Sequence, residues 1–222
     1  METIRNCAGI GYPAAGDTTG SAILSLFLAM SLHPEVQQRA QEELDSVCQS
    51  RMPEFSDRQN LPYINALCIE ILRWSSTVPL AFPHTTVEDD YYNGLFIPAR
   101  SIVMVDSFSM NFNEETYPQP HKFDPERFLS ADRKTCVVSS ASSAAFSFGK
   151  RKCPGRYLAD AELFYIAASV LKWFTIKPQP GVVLPVRHEE LFTSEIVSSP
   201  LPFKCMIQPR GEQHDALIKD AL

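Results

Sequence analysis

The sequence predicts a mainly α fold with small β hairpins, and three observations carry that reading. Helix-compatible apolar spacing runs through residues 3–31, and an amphipathic pattern follows it to about residue 49. Short β-branched and aromatic runs bounded by turn residues occupy 91–97 and 101–105. Of the 17 prolines all but Pro13 and Pro34 fall between or after these stretches, where each removes a backbone donor and keeps elements short.

Taken in order, the first helix is interrupted by Gly9, Gly11, Pro13 and Gly16. Pro13 frees the carbonyl of Gly9, so a distorted or kinked helix is expected. Ser31, Leu32 and His33 end it, and Pro34 suits the first position of a second helix. There Glu35, Glu42, Glu43 and Asp45 alternate with Val36, Ala40, Leu44 and Val47, the pattern of a solvated face over a buried one. A third helix is predicted over 61–76. Residues 112–130 hold Pro118, Pro120 and Pro125 and read as an irregular meander, and 139–147 read as a small polar loop. A last long helix runs from about 153 to about 173, and the proline-rich tail suggests hairpins. No internal repeat or dividing linker shows.

The 222 residues suit one ordinary domain or a large piece of a bigger one. At 45% hydrophobic and 21% charged the chain can bury a core and is not disordered by composition. Its net charge of −6 and pI near 5.4 disfavour nonspecific nucleic-acid binding, which needs a basic excess. The six cysteines (7, 48, 68, 136, 153, 205) form no CxxC pair. That pattern excludes a structural zinc site with paired ligands, and size excludes a disulfide-stapled mini-protein. Reduced thiols in an intracellular compartment are expected. The first residues lack a signal peptide's basic opening and apolar stretch. The most apolar stretch, 22–32, is shorter than the ~20 residues that span a bilayer, so a buried core helix is expected there.

The densest chemistry surrounds Cys153, in Phe146-Ser147-Phe148-Gly149-Lys150-Arg151-Lys152-Cys153-Pro154-Gly155-Arg156. Four cations and a nascent helix N-terminus favour thiolate over thiol. Gly149 and Gly155 allow a bulky group to approach the backbone, and Phe146 offers the sulfur an apolar neighbour. A lone thiolate cannot hold zinc, but it can be the single protein ligand to an iron already held by porphyrin nitrogens. Two other readings stand beside it. One is a structural cysteine beside a basic loop. The other is a nucleophile: a phosphatase-type loop would need Arg where Ala159 stands, whereas a Cys–His hydrolase is left open by spacing.

Phe146-x-x-Gly149-x-Arg151-x-Cys153-x-Gly155 resembles the heme-binding signature of the cytochrome P-450 family, the heme-thiolate monooxygenases. The resemblance implies the C-terminal part of the cytochrome P-450 fold, incomplete, with residues 1–222 as a single partial domain running from the long central helix through the heme-ligand loop. It implies heme b as cofactor, Cys153 as the iron ligand and Arg151 at a heme propionate. The thiolate's role would be to push electron density onto iron. Phe146, Gly149 and Gly155 complete the heme-binding set.

Glu70 and Arg73 lie at i and i+3 on the third predicted helix and can face each other. Leu67, Cys68, Ile69, Ile71 and Leu72 surround Glu70, and a carboxylate buried among them needs partners. The family has such an ExxR helix, completed by an arginine from the meander; Phe123-Asp124-Pro125-Glu126-Arg127-Phe128 matches that segment, so the resemblance makes Arg127 the third member of a structural triad. In the first helix, Ala14-Ala15-Gly16-Asp17-Thr18-Thr19 offers an acid followed by a hydroxyl, which could shuttle protons or simply bond back to its own helix. The resemblance makes Asp17 and Thr18 the proton relay, although Ala15 stands where the family usually has Gly. It also gives His84, after Pro83, a heme-propionate contact.

Lys150, Lys152, Arg156, Arg133 and Lys134 form either a docking patch for an acidic electron donor or a solvated charged loop. By resemblance the partners are an NADPH-dependent reductase, O2 and a small organic substrate, with no nucleic acid and with membrane contact only in a longer form. Full-length relatives sit at the endoplasmic reticulum membrane. The motifs look most like fungal members of secondary metabolism. The chain starts where the family's long central helix starts, so a truncated product is expected, with an exposed apolar patch on that helix. Three functions remain: a heme-dependent monooxygenase, a truncated heme-binding remnant without turnover, and a non-catalytic helical interaction module.

Overall fold

Pro34 cannot donate to a carbonyl one turn earlier, and it sets the first break in the chain. Before it runs α1 (Glu2–Leu32), and after it α2 (Pro34–Cys48). The computed structural model describes residues 2–137, 144–185 and 187–211. Within them, Pro62 opens α3 (Pro62–Ser75) behind a 3₁₀ turn (Phe55–Asn60). The short α4 (Ser107–Asn111) follows, and then α5 (Arg156–Trp173).

Three two-stranded antiparallel sheets complete the described elements. In the first, β1 (His84–Thr85) pairs with β4 (Ile102–Val103). Between them β2 (Asp90–Tyr92) and β3 (Leu95–Ile97) form a hairpin across Asn93 and Gly94. Both turn residues have positive φ, 49° and 80°, the geometry that matches strand twist in a two-residue hairpin. In the tail, β5 (Phe174–Pro178) pairs with β6 (Cys205–Pro209).

The core gathers the C-terminal half of α1 with α2, α3, α5 and β5. Leu26, Met30, Leu44, Ile64, Ile71, Phe164 and Leu171 are wholly buried in it. Gln37 of α2 acts as a surrogate strand partner for β5. Its amide nitrogen donates to the Ile176 carbonyl at 2.8 Å, and its oxygen accepts from the Ile176 N–H at 2.7 Å. A polar side chain is thus buried without an unmade bond.

One expectation changes: α5 begins at Arg156, with Gly155 at its N-cap, so Cys153 precedes the helix and does not open it. The first helix runs unbroken through Pro13, whose missing donor removes a single bond from a 31-residue ladder. The core helix expected over 22–32 is buried there at Ala22, Leu26, Leu28, Ala29 and Met30. As a whole, α1 is long and apolar enough to cross a membrane by length and composition, at a mean hydropathy of 1.2 over its best window, which is 44% buried inside the chain. The small polar stretch predicted over 139–147 falls partly outside the described residues. The 112–130 meander carries a single-turn 3₁₀ segment (Pro125–Phe128) started by the Asp124 carboxylate, which accepts from the Glu126 N–H at 3.1 Å.

Candidate functional site

The loop before α5 is built to present one sulfur. Ser147 and Gly149 both take left-handed backbone, at φ 65° and 66°, and turn the chain into a 3₁₀ segment (Gly149–Arg151). Glycine takes that conformation freely at 149. The turn brings the Cys153 N–H to the Phe146 carbonyl at 3.0 Å. On the other side, the Arg156 guanidinium donates to the Cys153 carbonyl at 3.0 Å and lies against the Tyr157 ring. Cys153 is half-buried. A Cβ at Gly155 would stand 3.8 Å from its sulfur, so glycine keeps that flank open. Phe146, Gly149, Arg151, Cys153 and Gly155 are therefore gathered in one loop.

This donor set suits one kind of metal. Among the described residues no group of three or more His, Cys, Asp or Glu comes together. One sulfur flanked by open glycine fits an iron whose other ligands a porphyrin supplies.

A buried carboxylate organises the second cluster. Glu70 and Arg73, one turn apart on α3, are both at 0% exposure. Arg73 grips Glu70 with two parallel bonds, Nε to Oε2 at 2.7 Å and Nη2 to Oε1 at 2.8 Å. The Glu70 Oε1 also accepts from the Asp124 N–H at 2.7 Å and from Arg127 Nε at 3.3 Å. Arg73 spends its remaining nitrogen on the Asn111 carbonyl at 2.8 Å and sits near the rings of Phe112 and Tyr117. Arg127 reaches the Lys122 carbonyl at 3.0 Å. Segments of α3, α4 and the meander thus meet at the Glu70–Arg73 pair, and every charge there has partners.

The remaining predicted residues stand apart. Thr18 donates its hydroxyl to the Ala14 carbonyl at 2.8 Å, back onto its own helix. Asp17 is exposed. His84 is half-buried on β1, opposite Val103. Among the described residues no hydrogen bond, ion pair or ring contact joins these three to the Cys153 loop. The predicted basic patch divides: Arg133 pairs with Glu126 at 2.7 Å, whereas Lys134, Lys152 and Arg156 line a cavity of about 1040 Å³ between the loop and α3.

Sequence reasoning missed four polar contacts that hold this architecture. Glu43 does not face water; its carboxylate accepts from the Tyr63 and Ile64 N–H groups at 2.8 and 3.0 Å and caps α3 from another helix. Burial pushes its pKa up, against those two bonds and Arg39. Lys172 is buried and bonded to Asp45 at 2.8 Å. Burial alone would raise the Asp45 pKa, but Arg210 and Lys172 outweigh it and hold the group at about 2. Arg58 pairs with Asp160 at 2.7 Å. His188 sits among Trp74, Phe108, Phe112 and Phe192 with Nε2 at 2.7 Å from the Trp74 carbonyl. No local pattern announces these bonds, since each hydrogen-bond or ion-pair partner lies at least 20 residues away.

Comparison with known proteins gives one family. The model of the family described as Cytochrome P450 matches residues 1–206. Cytochrome P450 monooxygenase 208 of Postia placenta is 42% identical over 219 residues, covering 97% of this chain and 42% of that protein. Cytochrome P450 monooxygenase ple1 of Rhodocybe pseudopiperita is 40% identical, over 99% of this chain and 42% of its own length. Tryptamine 4-monooxygenase of Psilocybe cyanescens is 38% identical, over 95% and 42%. The chain therefore spans well under half the length of these curated relatives.

Proposed function

The chain belongs to the cytochrome P450 family, and from that premise we propose that it supplies the sulfur ligand and supporting wall of a heme-thiolate monooxygenase. The observation that carries this reading is the Cys153 loop: a half-buried sulfur, a backbone bond from Cys153 to Phe146, and open glycine on the Gly155 flank. Heme b bound there supplies the iron at which O2 is activated, so that one oxygen atom enters a small organic substrate with electrons from an NADPH-dependent reductase.

The chain's own residues have distinct tasks. Cys153 ligates the metal, and Phe146 shields the sulfur and anchors its loop. Gly149 sets the turn, and Arg151 and His84 hold the propionates. Glu70, Arg73 and Arg127 tie the meander to α3 and keep the wall behind the site rigid. Asp17 and Thr18 carry protons along α1 toward the site. Residues 1–222 act as a single partial domain, and Lys152 and Arg156 help to dock an acidic donor. The setting is intracellular, with membrane contact in longer relatives, and the chemistry is fungal secondary metabolism or xenobiotic oxidation.

A second reading, heme binding without turnover, is favoured by one observation. The Thr18 hydroxyl is committed to Ala14, and its acidic neighbour Asp17 faces solvent. A solvated acid beside an occupied hydroxyl is a poor path for protons to a dry site.

One experiment tests both. The chain is expressed with heme available, reduced and exposed to carbon monoxide. A thiolate-type Soret band that Cys153→Ala abolishes supports ligation, and no heme uptake rejects it. Ligation without product from any substrate, with an electron donor present, selects the second reading.

A further inference from the structure

The 3₁₀ turn before α3 is fixed more firmly than a connector requires. Asp57 and Glu54 form a capping box, with the Glu54 N–H donating to Asp57 at 2.8 Å. Arg51 clasps the same Asp57 carboxylate with two bonds of 2.7 and 2.6 Å. The next residue, Arg58, is gripped at both ends by Asn65 of α3. Its Nε donates to Asn65 Oδ1 at 2.8 Å, and its carbonyl accepts from Asn65 Nδ2 at 2.8 Å. The guanidinium is thereby aimed before it meets anything else. Its Nη1 lies 2.7 Å from the Asp160 carboxylate, and its Cζ stands over the Phe164 ring, 4.8 Å from the ring centre.

Asp160 and Phe164 belong to the first turns of α5, and Phe164 is wholly buried. The start of α5 is bonded directly to the cysteine: Arg156 reaches the Cys153 carbonyl through both its N–H at 3.4 Å and its guanidinium at 3.0 Å. A helix moves as a rod, so whatever holds Asp160 also holds Cys153. The other end of the linkage is α3, five residues before Glu70. Phe55, stacked on Tyr165 at 5.2 Å, closes the same interface from the side.

We propose that Arg58 is a positioning residue, which fixes the height and tilt of the Cys153 loop over α3 by clamping Asp160. The proposal rests on the reading of Cys153 as the metal ligand for its purpose, but its mechanics stand without that reading. Arginine is needed because one side chain must serve Asn65, Asp160 and the Phe164 face together. A lysine ammonium has no planar fork and serves one of them at a time.

Hydrogen exchange on the heme-free 222-residue chain tests the mechanics. Arg58→Ala is expected to speed exchange of the Cys153 and Arg156 amides about fivefold while the Glu70 and Arg73 amides keep their protection. Arg58→Lys should fall between the two, and Asp160→Asn should match Arg58→Ala. The double variant should add nothing to either single change. Faster exchange confined to residues 55–65 would overturn the proposal. If Arg58→Ala loosens the whole chain, Asp160→Asn decides: an unchanged Cys153 amide then rejects the clamp. On the heme-loaded chain, Arg58→Ala should lower the thiolate-type share of the carbon monoxide spectrum, with partial rescue by Arg58→Lys. Should Cys153→Ala leave that spectrum intact, the ligand reading fails while the exchange result still stands.

Discussion

Residues 2–17 and residues 21–31 lie on the same helix, and their surroundings differ, although Leu24 keeps one exposed position in the second. Every residue of the first stretch is exposed, including Ile4, Ile10 and Tyr12. In the second, Leu26, Ala29 and Met30 have no accessible surface and pack into the core shared with α3, α5 and β5. Backbone bonds carry the helix through both stretches, past the one donor missing at Pro13, because each bond spans a single turn. Burial requires neighbours, and those come from other segments. Asp17 and Thr18 stand at the boundary, which is why the relay candidates remain wet. Glu70 shows the opposite condition: a charge deep inside the chain, held by Arg73 on its own helix and by Asp124 and Arg127 from the meander.

The largest effect expected from this contrast is at Arg73. Arg73→Ala removes three of the bonds that hold α3 to itself and to α4, and it leaves Glu70 with Arg127 and one N–H. Breaking one side of such a buried pair costs about 3–5 kcal/mol. That is a large share of the roughly 5–15 kcal/mol that separates a folded domain from its unfolded chain. Urea denaturation checks it, and an unchanged midpoint would mean that the carboxylate is wet.

A pair of alanine variants within α1 comes next. Leu26→Ala opens a cavity in the core and should cost about 2–5 kcal/mol. Ile10→Ala, on the exposed stretch, should stay within about 0.5 kcal/mol. Equal losses at the two positions would erase the difference between the two stretches and show that residues 2–17 are buried in solution.

How much of this was legible follows the same division between local and distant causes. Pro34 marked a helix start, because proline acts on its own backbone, and the turn-bounded run over 91–97 is the β2–β3 hairpin. The burial of Glu70 was legible too, since its neighbours in sequence are its neighbours on the helix. The start of α5 was misread by three residues, as Pro154 and Gly155 turn the chain before it coils. Glu43 was read as solvated because its two partners, the Tyr63 and Ile64 N–H groups, arrive from another helix. Lys172 gave no sign in the sequence: a lysine is exposed by default, and Asp45, 127 residues away, together with the Gln49 carbonyl makes its burial tolerable. In the candidate site, the loop around Cys153 was readable as a string, whereas the Arg58 clamp beneath it was not.

The smallest effect expected is on pH dependence, and it isolates the packed region, since residues 2–17 hold no histidine. His188 stacks on Phe192 at 4.6 Å and meets Phe112 edge-on at 4.8 Å. Its Nε2 donates to the Trp74 carbonyl. Burial lowers its pKa below 6.5 most strongly; the Trp74 carbonyl and Glu189 oppose that shift, and His121 and Arg73 reinforce it. His33, stacked on Phe123 at 5.1 Å, is lowered by burial in the same way, against Glu35. The unfolded chain therefore binds protons at these histidines before the folded chain does. Stability is full above the ordinary histidine pKa and falls as pH drops through about 6.5 toward the depressed folded values. Asp45 titrates in a separate window, because its contribution fades only as pH falls from the ordinary carboxylate range toward about 2. Urea midpoints at pH 7.5 and 5.5 bracket the histidine window and lie above that of Asp45. His188→Gln, which keeps a donor for the Trp74 carbonyl, should reduce the difference between those midpoints and leave the part owed to His33. A His188→Gln chain with the full difference would show that the aromatic cluster is open to water.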